Sequence, residues 1–258
     1  MVDNKACPLS PQGKAVCTPS SANETPQYIG STRSINTRSH GGGFSTKYNE
    51  YWYPEWAGTT IYRYDGSSLA YKGAFNSGQG SMMQLWGETD GSYYTANWGY
   101  GTVSKKSAYS SNTIWNRGVA GTPSCVTSDD NYVYAMNYYS NTVYRLNKSN
   151  GSVLSSFGLS GGYINSGYGS LAAVNGKLWR GSYNNRVDRY DAGSGQYDGK
   201  TFYTAPQIYN MAFTGKEYCV SANNSSVYCY TMFVKGDCTM GNDCDDNDNT
   251  VYPSKDEN

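Results

Sequence analysis

The apolar positions of this chain fall into short runs that recur at a nearly constant interval. The most regular runs follow a turn rich in Asn, Ser, Gly or Thr and begin with an aliphatic residue, which we call the anchor. The anchors are Ile61, Val103, Val143, Val187 and Val227. They lie 42, 40, 44 and 40 residues apart. A period of this size is typical of a repeat architecture.

Four strands can be predicted in each repeat. The first is an apolar run, found at residues 43–45, 83–86, 124–127, 170–174 and 210–213. A hairpin turn leads to a second strand with an aromatic residue or Leu nine positions before the anchor: Trp52, Tyr94, Tyr134, Leu178 and Tyr218. The anchor begins the third strand, and a Gly-containing turn precedes the fourth, as at residues 151–157. Four antiparallel strands in each unit of about forty residues predict a β-propeller blade.

The last repeat has no fourth strand of its own. Residues 236 onward break the pattern, whereas residues 27–33 (QYIGSTR) are left over ahead of the first repeat. We therefore predict an all-β, five-bladed β-propeller of four-stranded antiparallel blades, with the ring closed by this N-terminal strand. The expected domains are an irregular arm (1–25), the propeller (26–235) and an Asp-rich calcium-binding tail that contains a short metal-binding loop (236–258).

Residues 143–158 (VYRLNKSNGSVLSSFG) resemble the strand–turn–strand unit of NHL-like and lectin-like propeller repeats. The resemblance covers about residues 27–233 and implies an architecture more than one activity. Such propellers serve mostly as binding scaffolds, with enzymes among them, so the fold alone does not decide the function.

Residues 243–253 (DCDDNDNTVYP) resemble the MopE-like metal-binding repeats of secreted bacterial proteins. The sequence departs from that pattern at Asn249 and Ser254, and the central Gly and terminal Glu of an EF-hand are missing. The oxygen ligands are expected to be Asp243, Asp245, Asn247 and Asp248. Ca²⁺ is the expected cofactor, with a structural role in ordering the tail. A solvated acidic tail is the alternative.

The composition suggests an oxidising compartment. The chain has 27 Tyr, 30 Gly and 7 Cys, and its 20 acidic and 20 basic residues give a formal net charge of zero. This balance provides no electrostatic case for a nucleic-acid partner, and no apolar stretch is long enough to span a bilayer. We expect a secreted or cell-surface protein from which a signal peptide ahead of Met1 has been removed, and whose natural chain continues past Asn258.

Three disulfides are candidates on sequence spacing. They would join Cys7 to Cys17, Cys219 to Cys229, and Cys238 to Cys244. Pairing of Cys7 or Cys17 with Cys125 competes with the first, and two buried thiols are the alternative to the second.

Little in the sequence indicates catalysis. Residues 158–162 fit a G-x-S-x-G string and residues 40–43 resemble an oxyanion strip, but the only histidine, His40, precedes the serine. Candidate acids occupy different blade positions: Glu50, Glu55, Glu88 and Asp188. A propeller-type lyase or cyclase remains an alternative, and it would need a carboxylate cluster and a metal at the central channel.

The remaining signal is aromatic and amide-rich. Equivalent turns between the second and third strands carry the candidate ligand-binding residues Trp56, Trp98, Tyr100, Tyr138, Tyr139, Tyr183, Asn184 and Asn223. These turns should share one face of the ring and suit a glycan or an extracellular protein surface. We therefore predict a binding or adhesion module with a carbohydrate as the preferred ligand. Two alternatives are tyrosines that only pack between blades, and an oligomerising subunit of an extracellular appendage, fibre or matrix.

Overall fold

The computed structural model describes residues 27–34, 42–55, 57–163, 169–182, 185–204, 208, 210–214, 217–221 and 226–231. These residues form twenty β-strands arranged as five four-stranded antiparallel sheets. Within this part of the chain, no helix has the length and apolarity needed to cross a membrane.

Four of the sheets are built from consecutive strands, which run in order from the inside outward. The first sheet contains β2 (Gly43–Ser45), β3 (Glu50–Pro54), β4 (Thr60–Asp65) and β5 (Tyr71–Asn76). The second contains β6 (Met82–Gly87), β7 (Tyr93–Asn97), β8 (Thr102–Lys106) and β9 (Thr113–Gly118). The third contains β10 (Pro123–Ser128), β11 (Tyr132–Asn137), β12 (Thr142–Asn147) and β13 (Val153–Gly158). The fourth contains β14 (Gly169–Val174), β15 (Lys177–Ser182), β16 (Arg186–Asp191) and β17 (Tyr197–Tyr203).

The fifth sheet draws on both ends of the chain. Its inner strands are β18 (Asn210–Phe213), β19 (Glu217–Ser221) and β20 (Ser226–Thr231), and its outermost strand is β1 (Gln27–Ser34). β1 pairs antiparallel with β20, so that Arg33 lies opposite Val227. The prediction that an N-terminal strand completes the last sheet is confirmed.

Burial falls from the centre of the molecule to its edge. Every residue of β2, β6, β10 and β14 is buried, whereas the outer strands β5, β9 and β13 are mostly exposed. The inner strands of successive sheets contact one another, and β18 also contacts β2. The predicted all-β propeller of four-stranded antiparallel blades is therefore confirmed.

The anchors are core residues, because each is at most 1 % exposed. The register corrects the predicted position of the aromatic residue in two repeats. In the fourth sheet Trp179, not Leu178, lies opposite Arg189, and in the fifth Cys219, not Tyr218, lies opposite Cys229. The loop before the anchor is one residue shorter in these two sheets. The residue opposite the basic position therefore lies eight positions before the anchor, not nine.

A basic and an aromatic residue lie opposite each other on neighbouring strands at this position in four sheets. The pairs are Trp52 with Arg63, Tyr94 with Lys105, Tyr134 with Arg145, and Trp179 with Arg189. The guanidinium carbon of Arg189 lies 5.4 Å from the centre of the Trp179 ring, a favourable cation–π distance. These basic residues pair locally, as predicted.

The fifth sheet has a disulfide where the others have a cation–aromatic pair. Cys219 and Cys229 lie directly opposite each other with their Cα atoms 4.1 Å apart, and their predicted bond is confirmed. Tyr51 of the first sheet places its hydroxyl 2.9 Å from the Cys219 sulfur. The disulfide therefore lies at the junction between the first and last sheets. The other predicted pairings, Cys7–Cys17 and Cys238–Cys244, lie outside the described residues, and Cys125 is a buried free thiol.

Turns between the third and fourth strands are held by the preceding sheet. Trp115 and Arg117 of the second sheet donate to the carbonyls of Lys148 and Asn150, at 3.0 and 2.9 Å. Arg145 of the third sheet likewise donates to the carbonyl of Ala192 at 2.7 Å. Outer-strand and third-strand side chains thus join neighbouring sheets well outside the central strands.

Glu50 is the strongest polar link between the first two sheets. Its buried carboxylate accepts hydrogen bonds from Arg63 (2.8 and 2.9 Å) and Trp52 (2.9 Å), and from Tyr109 of the second sheet (3.1 Å). Lys72 pairs with it at 2.9 Å. Burial alone would raise the pKa of Glu50, but the hydrogen bonds from Arg63, Trp52 and Lys72 outweigh it and lower the pKa to about 2.

We predict that Glu50 stabilises the fold in a pH-dependent way. Because its pKa in the folded state lies below the ordinary value of 4.5, the contribution is present above that value and is lost as the pH falls toward 2. Glu50→Gln should lower the free energy of unfolding by about 2–3 kcal/mol at pH 7. Urea denaturation from pH 7 to pH 2.5 measures the difference in unfolding free energy between Glu50→Gln and the unsubstituted protein. The control is Asp130→Asn, at an exposed position. A deficit in Glu50→Gln that does not change with pH would contradict the assignment.

Candidate functional site

The predicted binding turns lie where the second strand of each sheet passes into the third. In the second sheet the amide of Trp98 donates to the carbonyl of Ser81 at 3.0 Å, and in the third the amide of Tyr138 donates to Thr122 at 2.7 Å. Each bond ties the turn to the segment that enters the same sheet's inner strand. In these two sheets the turns and the entering segments therefore share one face of the ring.

Asn side chains shape these turns from within. Asn97 donates to the carbonyl of Gly80 at 2.7 Å and accepts from the amide of Tyr100 at 3.0 Å. Asn137 repeats the arrangement with Ala120 (3.2 Å) and Tyr139 (2.9 Å). These two amides are structural, and they leave the aromatic side chains of the turns to face outward.

The aromatic side chains of the two turns meet. The ring centres of Trp98 and Tyr138 are 6.3 Å apart in an edge-to-face arrangement, and those of Tyr138 and Tyr139 are 4.8 Å apart. Trp98 is 38 % exposed, Tyr139 66 % and Tyr100 75 %. Four of the predicted residues thus form one surface across two sheets, which we call the aromatic surface: Trp98, Tyr100, Tyr138 and Tyr139.

The surroundings of the aromatic surface are polar but uncharged. Residues 97–102 and 137–142 and the adjoining segments 77–81 and 118–122 contain no Asp, Glu, Lys, Arg or His. They are rich in Gly, Ser, Asn and Thr. Flat amphipathic rings beside neutral hydrogen-bonding groups suit a neutral ligand that has both apolar and hydroxyl-bearing faces.

The other predicted site residues lie outside the described residues. Among the ligand-binding candidates these are Trp56, Tyr183, Asn184 and Asn223, and among the metal ligands Asp243, Asp245, Asn247 and Asp248. In the part of the chain that is described, no group of three or more His, Cys, Asp or Glu side chains is placed to hold a metal ion.

One polar side chain occupies the centre of the ring. Gln84 of β6 donates to the carbonyls of Leu171 (3.1 Å) and Met211 (3.0 Å). Its oxygen accepts from the amides of Val126 and Leu171, both at 3.3 Å. A single amide therefore bridges β6 to β10, β14 and β18. The polar Gln84 within the predicted apolar run 83–86 was the sequence signal for this role, and sequence reasoning missed it.

The candidate acids do not converge. Glu50 links the first two sheets. Glu88 forms an ion pair with Lys148 at 3.0 Å and accepts a hydrogen bond from Ser128. Asp188 of the fourth sheet pairs with Arg186 at 2.8 Å and accepts from the amide of Tyr163 at 2.8 Å. Each carboxylate is thus engaged at a different position around the ring, and the described inner strands contain no Asp, Glu, Lys, Arg or His.

A buried guanidinium in the fourth sheet was also missed. Arg180 is 2 % exposed and donates to the carbonyl of Tyr163 at 3.3 Å. Burial lowers its pKa, while the nearby Cys125, Tyr190 and Asp188 act in the opposite direction. Burial also raises the pKa of Cys125, to about 11, so this thiol is not an activated nucleophile. No spacing rule distinguishes Arg180 from the basic residues of the other strands.

Together, these features define an all-β propeller with an aromatic surface on the face that carries the turns between second and third strands. The structure is similar to the crystal structure of a glutaminyl cyclase from Myxococcus xanthus, with a TM-score of 0.62. The alignment covers 80 % of this chain and 95 % of that chain at 10 % sequence identity, which shows a shared fold. No protein-family model matches the sequence, and no curated protein shows significant similarity to it. The resemblances to NHL-like and MopE-like repeats remain predictions.

We predict that Gln84 stabilises the ring through its four hydrogen bonds. Gln84→Leu keeps much of the side-chain volume but leaves the carbonyls of Leu171 and Met211 without this donor, which should cost about 1–3 kcal/mol. Urea denaturation measures the loss. The control is Gln196→Leu, at an exposed position in the turn before β17. Equal stability of Gln84→Leu and the unsubstituted protein would contradict a bridging role.

Proposed function

We propose that this chain is a secreted or surface-displayed five-bladed propeller that acts as a binding or adhesion module and recognises a carbohydrate. The contact between Trp98 and Tyr138 supports this proposal, because it joins turns of neighbouring sheets into one exposed surface. Rings of Trp and Tyr offer large contact area with little loss of conformational entropy on binding.

The neutral surroundings favour a sugar over a charged partner. Aromatic rings pack against the C–H faces of a pyranose, while Asn, Ser and Thr side chains hydrogen-bond its hydroxyl groups. A ligand that relies on these contacts should bind with little dependence on salt, because no charged pair is formed. An extracellular protein surface is the other partner that this chemistry would suit.

An enzymatic role has weaker support. The structural neighbour is named as a glutaminyl cyclase, which makes a propeller-type cyclase the enzyme alternative to consider. General acid–base catalysis needs ionisable side chains converging on one site. Neither the described inner strands nor the aromatic surface has such a cluster, and Glu50, Glu88 and Asp188 are engaged in separate structural contacts.

The tail is proposed to bind Ca²⁺ with a structural role. Asp243, Asp245, Asn247 and Asp248 supply hard oxygen donors at alternating and adjacent positions. A bound ion would order the tail, and this role is independent of the aromatic surface.

We predict that Ca²⁺ binding depends on the tail. Asp245→Ala should weaken Ca²⁺ binding at least tenfold in calorimetry, because it removes one charged ligand, whereas Asp130→Ala should leave it unchanged. Absence of Ca²⁺ binding by the unsubstituted protein, or its persistence after deletion of residues 236–258, would contradict the proposal.

We predict that the aromatic surface carries carbohydrate recognition. A glycan array in the presence of Ca²⁺ should identify a bound sugar, and calorimetry with that sugar should show affinity at least tenfold weaker for Trp98→Ala and Tyr139→Ala. Tyr71→Ala is the matched control, because Tyr71 is 61 % exposed on the outer strand of the first sheet.

Two results would contradict this prediction. A blank array would exclude the carbohydrate tested, and equal losses in Tyr71→Ala and Trp98→Ala would show that the aromatic surface is not specific. Near-constant affinity between low and high salt is expected, since the surface carries no charge.

A further inference from the structure

Two Asn-Gly pairs occur in the chain, at residues 150–151 and 175–176. An asparagine followed by glycine can lose its side-chain amide without an enzyme, because glycine has no side chain to hinder attack by its backbone nitrogen. The reaction depends on local structure, since that nitrogen must be free of other contacts and the asparagine side chain must be able to turn toward it. The two pairs differ in both respects.

Asn150 is held in the turn between β12 and β13. The amide of Gly151 donates to the carbonyl of Asn147 at 2.9 Å, and the side-chain oxygen of Asn150 accepts from the amide of Ser152 at 2.9 Å. Gly151 is buried, and a Cβ atom at this position would lie 2.5 Å from the Trp115 ring. Both reacting groups of this pair are therefore engaged in a closely packed turn.

Asn175 and Gly176 form the two-residue turn that joins β14 to β15. Both have positive φ (51° and 72°), and the flanking Val174 and Lys177 are paired, as in a type I′ hairpin. Both turn residues are exposed, and a Cβ atom at Gly176 would have no neighbour within 4 Å. Among the described residues, neither the Asn175 side chain nor the Gly176 amide has a hydrogen-bond partner. The reacting groups of this pair are therefore not engaged.

We propose that Asn175 is a site of spontaneous deamidation in the folded protein, whereas Asn150 is protected. The backbone nitrogen of Gly176 loses its proton and attacks the Cγ carbon of Asn175. The Cγ–Nδ2 bond breaks, ammonia leaves, and a five-membered cyclic imide forms. One water molecule then opens the imide, at one carbonyl to give aspartate and at the other to give isoaspartate. The net reaction consumes one water and releases one ammonia.

The products change the first turn of the fourth sheet. Either product adds a negative charge close to Lys177, whose amine already pairs with Asp191 at 3.3 Å and Asp198 at 3.7 Å. Aspartate keeps a sequence that type I′ turns favour, but isoaspartate adds one atom to the backbone of a two-residue turn. The aromatic surface lies on the second and third sheets and does not include this turn. Deamidation and carbohydrate binding can therefore be tested independently.

Incubation of the folded full chain at mildly alkaline pH, followed by acidic digestion and mass spectrometry, measures both sites in one sample. Deamidation should be at least about tenfold faster at Asn175 than at Asn150, because the Gly151 amide must first give up its hydrogen bond. The rate at Asn175 should rise with pH, since the deprotonated nitrogen is the attacking group. In urea, where both turns are lost, the two sites should react at similar rates.

Asn175→Gly is the matched variant, because Gly-Gly also suits a type I′ turn and has no side-chain amide to lose. It should lack the acidic species that ion-exchange chromatography detects in step with conversion of Asn175. Three outcomes would overturn the proposal: no deamidation of Asn175 in the folded protein, equal rates at Asn175 and Asn150, or a difference between them that persists in urea.

Discussion

A ring of sheets is stable only if its first and last members are joined, and here the joint is the pairing of β1 with β20. The strand nearest the N-terminus lies outermost in the sheet nearest the C-terminus, so the two ends of the chain are bound to each other by backbone hydrogen bonds. The disulfide Cys219–Cys229 lies in the same sheet. The Cys219 sulfur accepts a hydrogen bond from the hydroxyl of Tyr51 in the first sheet, so side-chain contacts reinforce the joint.

The other sheets are joined by noncovalent contacts at three distances from the axis. Gln84 bridges inner strands at the centre, Arg63 of the first sheet stacks on the Tyr109 ring of the second sheet farther out, and side chains such as Trp115 hold the outer turn of the next sheet. Glu50 adds a charged link between the first two sheets, stable because five donors satisfy its carboxylate. The described carboxylates of Glu50, Glu88 and Asp188 therefore serve cohesion at separate positions in the ring.

The strands could be predicted from the sequence because the anchors recur with a regular spacing and every anchor is buried. The last repeat has only three strands of its own, and from this the sequence predicted that the N-terminal strand completes the last sheet. The aromatic position could not be fixed in the last two repeats, since one residue fewer in a loop moves Trp179 and Cys219 into register. Contacts between sheets, such as Gln84 with Met211 or Trp98 with Tyr138, depend on how the sheets are placed side by side, and residue spacing does not determine that.

The same geometry separates two surfaces with different chemistry. On the turn-bearing face, side-chain amides such as Asn97 and Asn137 satisfy the backbone from inside, which frees Trp98 and Tyr139 for solvent. On the outer edge, the outermost strand of each sheet pairs with one neighbouring strand among the described residues, and the character of each edge depends on whether its side chains are charged. The two surfaces differ because the strands run between the faces of the ring and their pairing ends at the rim.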